Sequence, residues 1–366
     1  MTNYCPELFQ TMYVQKLNEN EVKLGHCCNS ARSDPVSTVD MHHEFLKKGR
    51  VFYLEHNKLP PACNICVDLE NKGIYTLRLL SLEKITQEVT VPKLELLFYN
   101  CDPICNLKCI MCNSEWSSAW IDDEIKLGIR SDLKINRTKN NNLYHDMDLS
   151  NLTAIHFNGG EPFMTRDHLN LLAFVCQTRS SKDISVTYNT NATWPITQEI
   201  IDMWAKFGGV TVFCSIDGTH EVFDYVRYGD SWQNVEANIK SYQNIKLEHF
   251  QIEIHAAIGL HNILYIDELY SWADQNNLEL KLGCVTHPLE IKNFPFAAKQ
   301  QLISYLHSLP STTNTQIILN AANAIDENSD IGWLYWIKNL DRIRGNNWKQ
   351  SLHKLYELDP EYFDSI

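Results

Sequence analysis

From residue 94 onward, short apolar runs alternate with longer stretches in which apolar residues recur every three or four positions. The short runs predict strands at Leu94–Asn100, Leu152–Phe157, Ile184–Tyr188, Val210–Ile216, Phe250–Ile258 and Leu278–Cys284. The longer stretches predict helices near 114–128, 166–178, 197–207, 231–244 and 264–275. Strands alternating with helices argue for an α/β fold with a parallel sheet and right-handed crossovers. Within the strands the period is two, so neighbouring side chains point to opposite faces. If Ile155 and Phe157 meet the helices, His156 and Asn158 face the other way. The same alternation sends Thr187 and Asn189, Ser215 and Asp217, and Glu253 and His255 to that second face. A packed barrel interior favours Val, Ile and Leu, so a polar second face predicts a bound ligand there.

The flanks read differently. Residues 1–92 carry five cysteines and the Pro60-Pro61 break, and are expected to form a separate module. The repeat is expected to end near residue 295, and 296–366 to be a helical tail with Trp333, Trp336, Trp348 and Leu355 on its apolar face. A hydrophobic content of 44% supports a compact core, and a net charge of −13 argues against nucleic acid or anionic membrane as partner. Lys126, Arg130, Lys134, Arg137 and Lys139 make a local basic stretch, read as a solvated loop. No stretch approaches the roughly 18 apolar residues of a membrane span. The first residues lack the basic and apolar regions of a signal peptide, so a cytoplasmic location is expected. There the triplets at Asn136, Asn151 and Asn191 carry no glycosylation meaning.

Twelve cysteines in a reducing compartment point to metal or redox chemistry rather than disulfides. Cys176, Cys214 and Cys284 sit in apolar segments and are expected to be buried, as is Cys101. Cys105, Cys109 and Cys112 form a C-x3-C-x2-C run just after the first strand of the repeat. Thiolates are soft ligands suited to iron and sulfur, and a four-iron cluster is commonly held by four cysteines. Three from one tight loop leave one iron open, and an open position marks a reactive site rather than a structural one. The second strand then runs into Asn158-Gly159-Gly160-Glu161-Pro162, two glycines for close backbone approach followed by a carboxylate.

Together these residues resemble the radical S-adenosylmethionine (SAM) family. The resemblance implies a partial (β/α)6 barrel like that of TIM, with the cluster on Cys105, Cys109 and Cys112. It implies that Gly159, Gly160 and Glu161 meet the SAM amino group. Asn189 belongs to the motif after the third strand, and Ser215 and Asp217 to the motif near ribose and carboxylate. Arg227 is similar to the arginine that pairs with the SAM carboxylate, and Met111 stands where a backbone group meets adenine. Reductive SAM cleavage to a 5′-deoxyadenosyl radical, followed by hydrogen abstraction from an unactivated carbon, is the implied chemistry. A flavodoxin- or ferredoxin-type donor would supply the electron.

Cys63-Asn64-Ile65-Cys66 forms a second chelating turn, which Cys5 and Cys27 or Cys28 can complete. Spacing alone leaves zinc and an iron–sulfur cluster open. The segment Cys63-x2-Cys66-x3-Glu70-x2-Gly73-x4-Arg78 resembles the module of twitch-domain radical SAM proteins, a shortened SPASM fold. That likeness implies an auxiliary [4Fe–4S] cluster on Cys5, Cys27, Cys63 and Cys66. The expected substrate is a peptide or protein side chain. A dehydrogenase or epimerase of a sugar-like or aminocyclitol molecule is the alternative, and an inactive metal-stabilised binding module is a third. Glu253 and His255 lie beyond the SAM set and are expected to serve substrate or proton transfer.

Overall fold

The computed structural model describes residues 3–17, 21–71, 76–131, 144, 147–285, 288–327 and 330–365. Among the described residues eight strands form one sheet: β1 (Thr11–Lys16), β2 (Val22–Gly25), β3 (Leu96–Asn100), β4 (Ala154–Asn158), β5 (Ser185–Thr190), β6 (Gly209–Ser215), β7 (Phe250–Ile258) and β8 (Glu279–Cys284). Their order is β2-β1-β3-β4-β5-β6-β7-β8. All neighbours are parallel except β1 and β2. From β3 to β8 each strand lies beside its successor in sequence, so every right-handed crossover places its helix on the same face.

The six strands expected from the repeat are all present. The sheet differs from expectation on the other side of β3. Thr11–Lys16 pairs in parallel with β3, Tyr13 opposite Phe98 and Gln15 opposite Asn100. Residues before 92 therefore extend the sheet, and the expected boundary at 92 does not interrupt it. The signal was present in Met12 and Val14 alternating with Tyr13 and Gln15, the same period of two read elsewhere.

Register explains the core. Met12, Leu97, Ile155, Val186 and Val210 make one helix-facing row across five strands, and Val14, Tyr99, Phe157, Tyr188 and Val212 make the next. Every residue of both rows is buried. The opposite face carries Asn100, Asn158, Asn189, Phe213 and Glu253, with Ser215, His255 and Lys281 a step further on. The polar second face read from alternation is the face the structure leaves open.

After β8 the chain is helical, with helices Lys299–Ser308, Thr313–Asn323 and Gly332–Arg344. Trp333, Trp348, Leu355 and Phe363 are buried there. The expectation that Cys284 is buried is corrected: it closes edge strand β8 and is exposed, whereas Cys101 and Cys214 are buried and Cys176 half-buried. Lys126 pairs with Asp122 one helical turn away at 2.7 Å. Lys134, Arg137, Lys139, Asn136 and Gly73 lie outside the described residues. Among the described residues, no helix is long and apolar enough to cross a membrane.

Candidate active site

The carboxyl ends of the parallel strands frame an open cavity of about 390 Å3. Cys105, Cys109 and Cys112 line it together with Met111, Gly159, Gly160, Asn189, Ser215 and Arg227. Local backbone pairing builds this wall. Lys108 N donates to Tyr228 O and Ile110 N to Val226 O, so the cysteine loop lies along the segment that carries Arg227. Gly160 presses against the start of the loop: a Cβ there would stand 2.2 Å from the Ile104 carbonyl oxygen. Gly159 has φ +129, a conformation other residues rarely adopt.

The donor chemistry suits thiolate-held iron. Leu107 N donates to Cys105 Sγ at 3.4 Å, Asn191 Nδ2 donates to the same sulfur at 3.6 Å, and Arg227 stands 3.9 Å from Cys109 Sγ. Such contacts stabilise negative sulfur. Burial pushes the Cys105 thiol up to about 12, so taking up metal releases protons.

Two residues assigned to the ligand from sequence stand one layer back. Glu161 is buried and absent from the cavity lining. Its carboxylate accepts from Thr190 Oγ1 at 2.8 Å, Asn191 N at 2.7 Å and Phe163 N at 3.1 Å. Burial still raises it to about 7. Glu161 thus fixes the turn after β5 that presents Asn191. Asp217 is also buried; it accepts from Ala257 N at 2.7 Å and pairs with Arg227 at 2.7 Å. Its position supports the guanidinium rather than a ligand.

Asn100, Tyr13, Trp116 and Ser117 line the cavity and were not singled out. Glu253 and His255 lie on the open face outside that lining. His255 Nε2 is 3.4 Å from Glu253 Oε2, and its ring stacks on Phe213 at 4.2 Å between centres. Burial holds His255 below its ordinary range, against the pull of Glu253.

A second, smaller cavity is ringed by Cys5, Cys27, Cys63 and Cys66. Cys28 does not line it and is half-buried, which distinguishes the two neighbours. Arg78 and Glu70 lie buried alongside and are paired, and Arg78 also bonds the Tyr4 carbonyl at 2.9 Å. Among the described residues no three His, Cys, Asp or Glu side chains converge at single-ion distance. Four thiols line one shared cavity, a donor set that suits soft metals.

The tail helix Gly332–Arg344 braces the cysteine loop. Trp336 Nε1 donates to Ile110 O at 2.9 Å, and Arg344 bonds Asp123 at 2.8 Å, the same carboxylate that takes Lys108 at 2.7 Å.

No curated protein matches the chain. Among solved structures it is similar to histidine-tagged anSMEcpe with bound AdoMet, at 16% identity over 59% of this chain and 58% of that one, TM-score 0.44. It is similar to Streptococcus suis SuiB bound to precursor peptide SuiA, at 15% identity over 81% and 68%, TM-score 0.36. A third is coproporphyrinogen III oxidase (HemN) from Escherichia coli, described as a radical SAM enzyme, at 13% identity over 69% and 52%, TM-score 0.35. The match to anSMEcpe spans 58% of its length, less than two thirds. The Radical SAM superfamily profile matches residues 99–270, the stretch that holds the cysteine loop, the Gly159-Gly160 turn and Arg227, and this segment is a radical SAM superfamily domain.

Proposed function

We propose that this chain is a radical SAM enzyme that cleaves SAM reductively and takes hydrogen from an unactivated carbon of its substrate. One observation carries the reading: three thiols, the Gly159-Gly160 backbone, Asn189, Ser215 and Arg227 all line one cavity. Cys105, Cys109 and Cys112 would hold a [4Fe–4S] cluster, leaving one iron open to SAM. When bound, cluster and SAM supply one-electron chemistry that the protein cannot perform by itself.

The chain's own residues bind and orient. Arg227, held by Asp217 at 2.7 Å, offers a fixed guanidinium to a carboxylate. Gly159 and Gly160 bring backbone groups close to an ammonium, while Glu161 keeps Asn191 and Thr190 in place. Met111 gives the cavity an apolar wall for adenine.

The second cavity supports an auxiliary [4Fe–4S] cluster on Cys5, Cys27, Cys63 and Cys66, with residues 1–92 as a twitch-like portion that shares the sheet through Thr11–Lys16, 93–295 as a partial (β/α)6 barrel and 296–366 as its tail. The substrate we favour is a peptide or protein side chain. Its support is the mixed charge of the open face, where Glu253, His255, Lys281 and Glu279 stand on neighbouring strands. The second reading, a sugar-like or aminocyclitol substrate, draws on the amide row Gln15, Asn100, Asn158 and Asn189. A flavodoxin- or ferredoxin-type donor and a cytoplasmic location belong to the same reading.

The test is anaerobic reconstitution with iron and sulfide, followed by SAM titration watched by electron paramagnetic resonance. About eight irons per chain and a SAM-dependent change in the reduced signal are expected. A signal that SAM leaves unchanged contradicts the site, and about four irons with zinc in the second cavity contradicts the auxiliary cluster.

A further inference from the structure

His26 lines the second cavity beside Cys27. It is 1% exposed, and neither ring nitrogen has a hydrogen-bond partner. The Leu8 carbonyl lies near and mildly favours protonation without reaching hydrogen-bond geometry. A buried imidazole without partners forfeits its bonds to water, a cost native folds rarely leave unmet.

The surroundings are built for this ring. It stacks at 6.2 Å on Phe45, in the helix Glu44–His56. Gly49 of that helix makes the room: a Cβ there would stand 2.3 Å from His26 Nε2. Glycine inside a helix weakens it, so the space has a purpose that alanine could not serve. On the other side Ser30 Oγ accepts from His26 N at 2.9 Å and Cys27 N at 3.3 Å, fixing the turn that aims both side chains.

From these two observations, an orphaned buried imidazole and a glycine against which its Nε2 is seated, we propose that His26 donates its Nδ1–H to a sulfur of the multi-iron group held by Cys5, Cys27, Cys63 and Cys66. The inference rests on the auxiliary-cluster reading above. A hydrogen bond to cluster sulfur spreads negative charge and stabilises the reduced state, so His26 raises the reduction potential.

The experiment uses the full chain with both clusters, with Cys109→Ala as background so that only the second cluster is observed. Histidine is labelled with 15N, and the potential is followed by redox titration. The expected result is a weak 15N coupling to the reduced cluster, too small for direct ligation, that disappears in His26→Phe. The reduction equilibrium constant should fall about tenfold in His26→Phe, a drop of about 59 mV for one electron. His26→Gln, which keeps a donor, should recover part of it. His26→Phe retains the ring against Phe45, and Gly49→Ala serves as a second variant that displaces His26 without altering it and should also lower the potential. An intact second cluster with unchanged potential and coupling in His26→Phe and Gly49→Ala overturns the inference alone. A wild-type chain that assembles no second cluster overturns the inference together with the reading beneath it.

Discussion

Trp336 and Trp120 stack face to face, with ring centres 5.6 Å apart and planes 11° apart. Each indole N–H bonds a carbonyl of the cysteine loop, Trp336 to Ile110 and Trp120 to Cys109 at 3.0 Å. The stacked pair, one ring from the tail and one from the helix Trp120–Lys126, thereby holds two consecutive peptide units between Cys109 and Cys112. Trp336→Phe keeps the stack and loses the bond, an expected cost of about 0.5–1.5 kcal/mol. Trp336→Ala loses both. Iron retained after a chelator challenge should fall in the order wild type, Phe, Ala. Equal retention in all three would show that the tail does not brace the loop.

Gly160→Ala should damage the cavity without removing any functional group. The new Cβ would meet the Ile104 carbonyl oxygen at 2.2 Å, and both partners are backbone. Overpacking of this kind costs about 1–3 kcal/mol, roughly five- to 150-fold if it falls on SAM affinity. Calorimetric titration of SAM into the reconstituted variant checks it.

Acid should destabilise the fold through His168. This residue is buried against Phe157, Phe163 and Tyr188, and desolvation lowers it to about 3. Unfolded histidine titrates near 6.5, so between those values the unfolded chain binds the extra proton. Stability is therefore full above about 6.5 and is lost as pH falls toward about 3, by at most about 1.4 kcal/mol per pH unit from this group. Denaturant melts at pH 7.5 and 5.5 should differ less for His168→Phe than for wild type.

Glu253→Gln and His255→Ala should retain both clusters and substrate-free SAM cleavage while losing substrate-coupled turnover. Their place on the open face, outside the cavity lined by the cysteines, motivates the separation. Mass spectrometry of product against 5′-deoxyadenosine is the measure. A wild-type ratio in both variants makes the pair scaffold.

Much of this was legible locally. Period-two alternation placed His156, Asn158, Asn189, Ser215 and His255 on the open face, because a strand's pattern depends on its own residues. Glu161 and Asp217 do not line the cavity, because Glu161 is claimed by the turn amide of Asn191 and Asp217 by the Ala257 amide of β7 and by Arg227, partners that no period describes. Cys27 separates from Cys28 only once the turn at Ser30 is built. The brace of Trp336 on Ile110 spans 226 residues, and nothing local in either segment announces it.

The most direct measurement is 5′-deoxyadenosine formed from SAM by the anaerobically reconstituted protein under dithionite, beside Cys109→Ala and Cys63→Ala. Cys109 faces Arg227 in the cavity that the domain's defining residues share, and Cys63 belongs to the second one. The account predicts cleavage by wild type, none by Cys109→Ala, and cleavage preserved in Cys63→Ala. Formation of 5′-deoxyadenosine by Cys109→Ala at the wild-type rate, or none by a wild-type protein that carries its full iron, would contradict it.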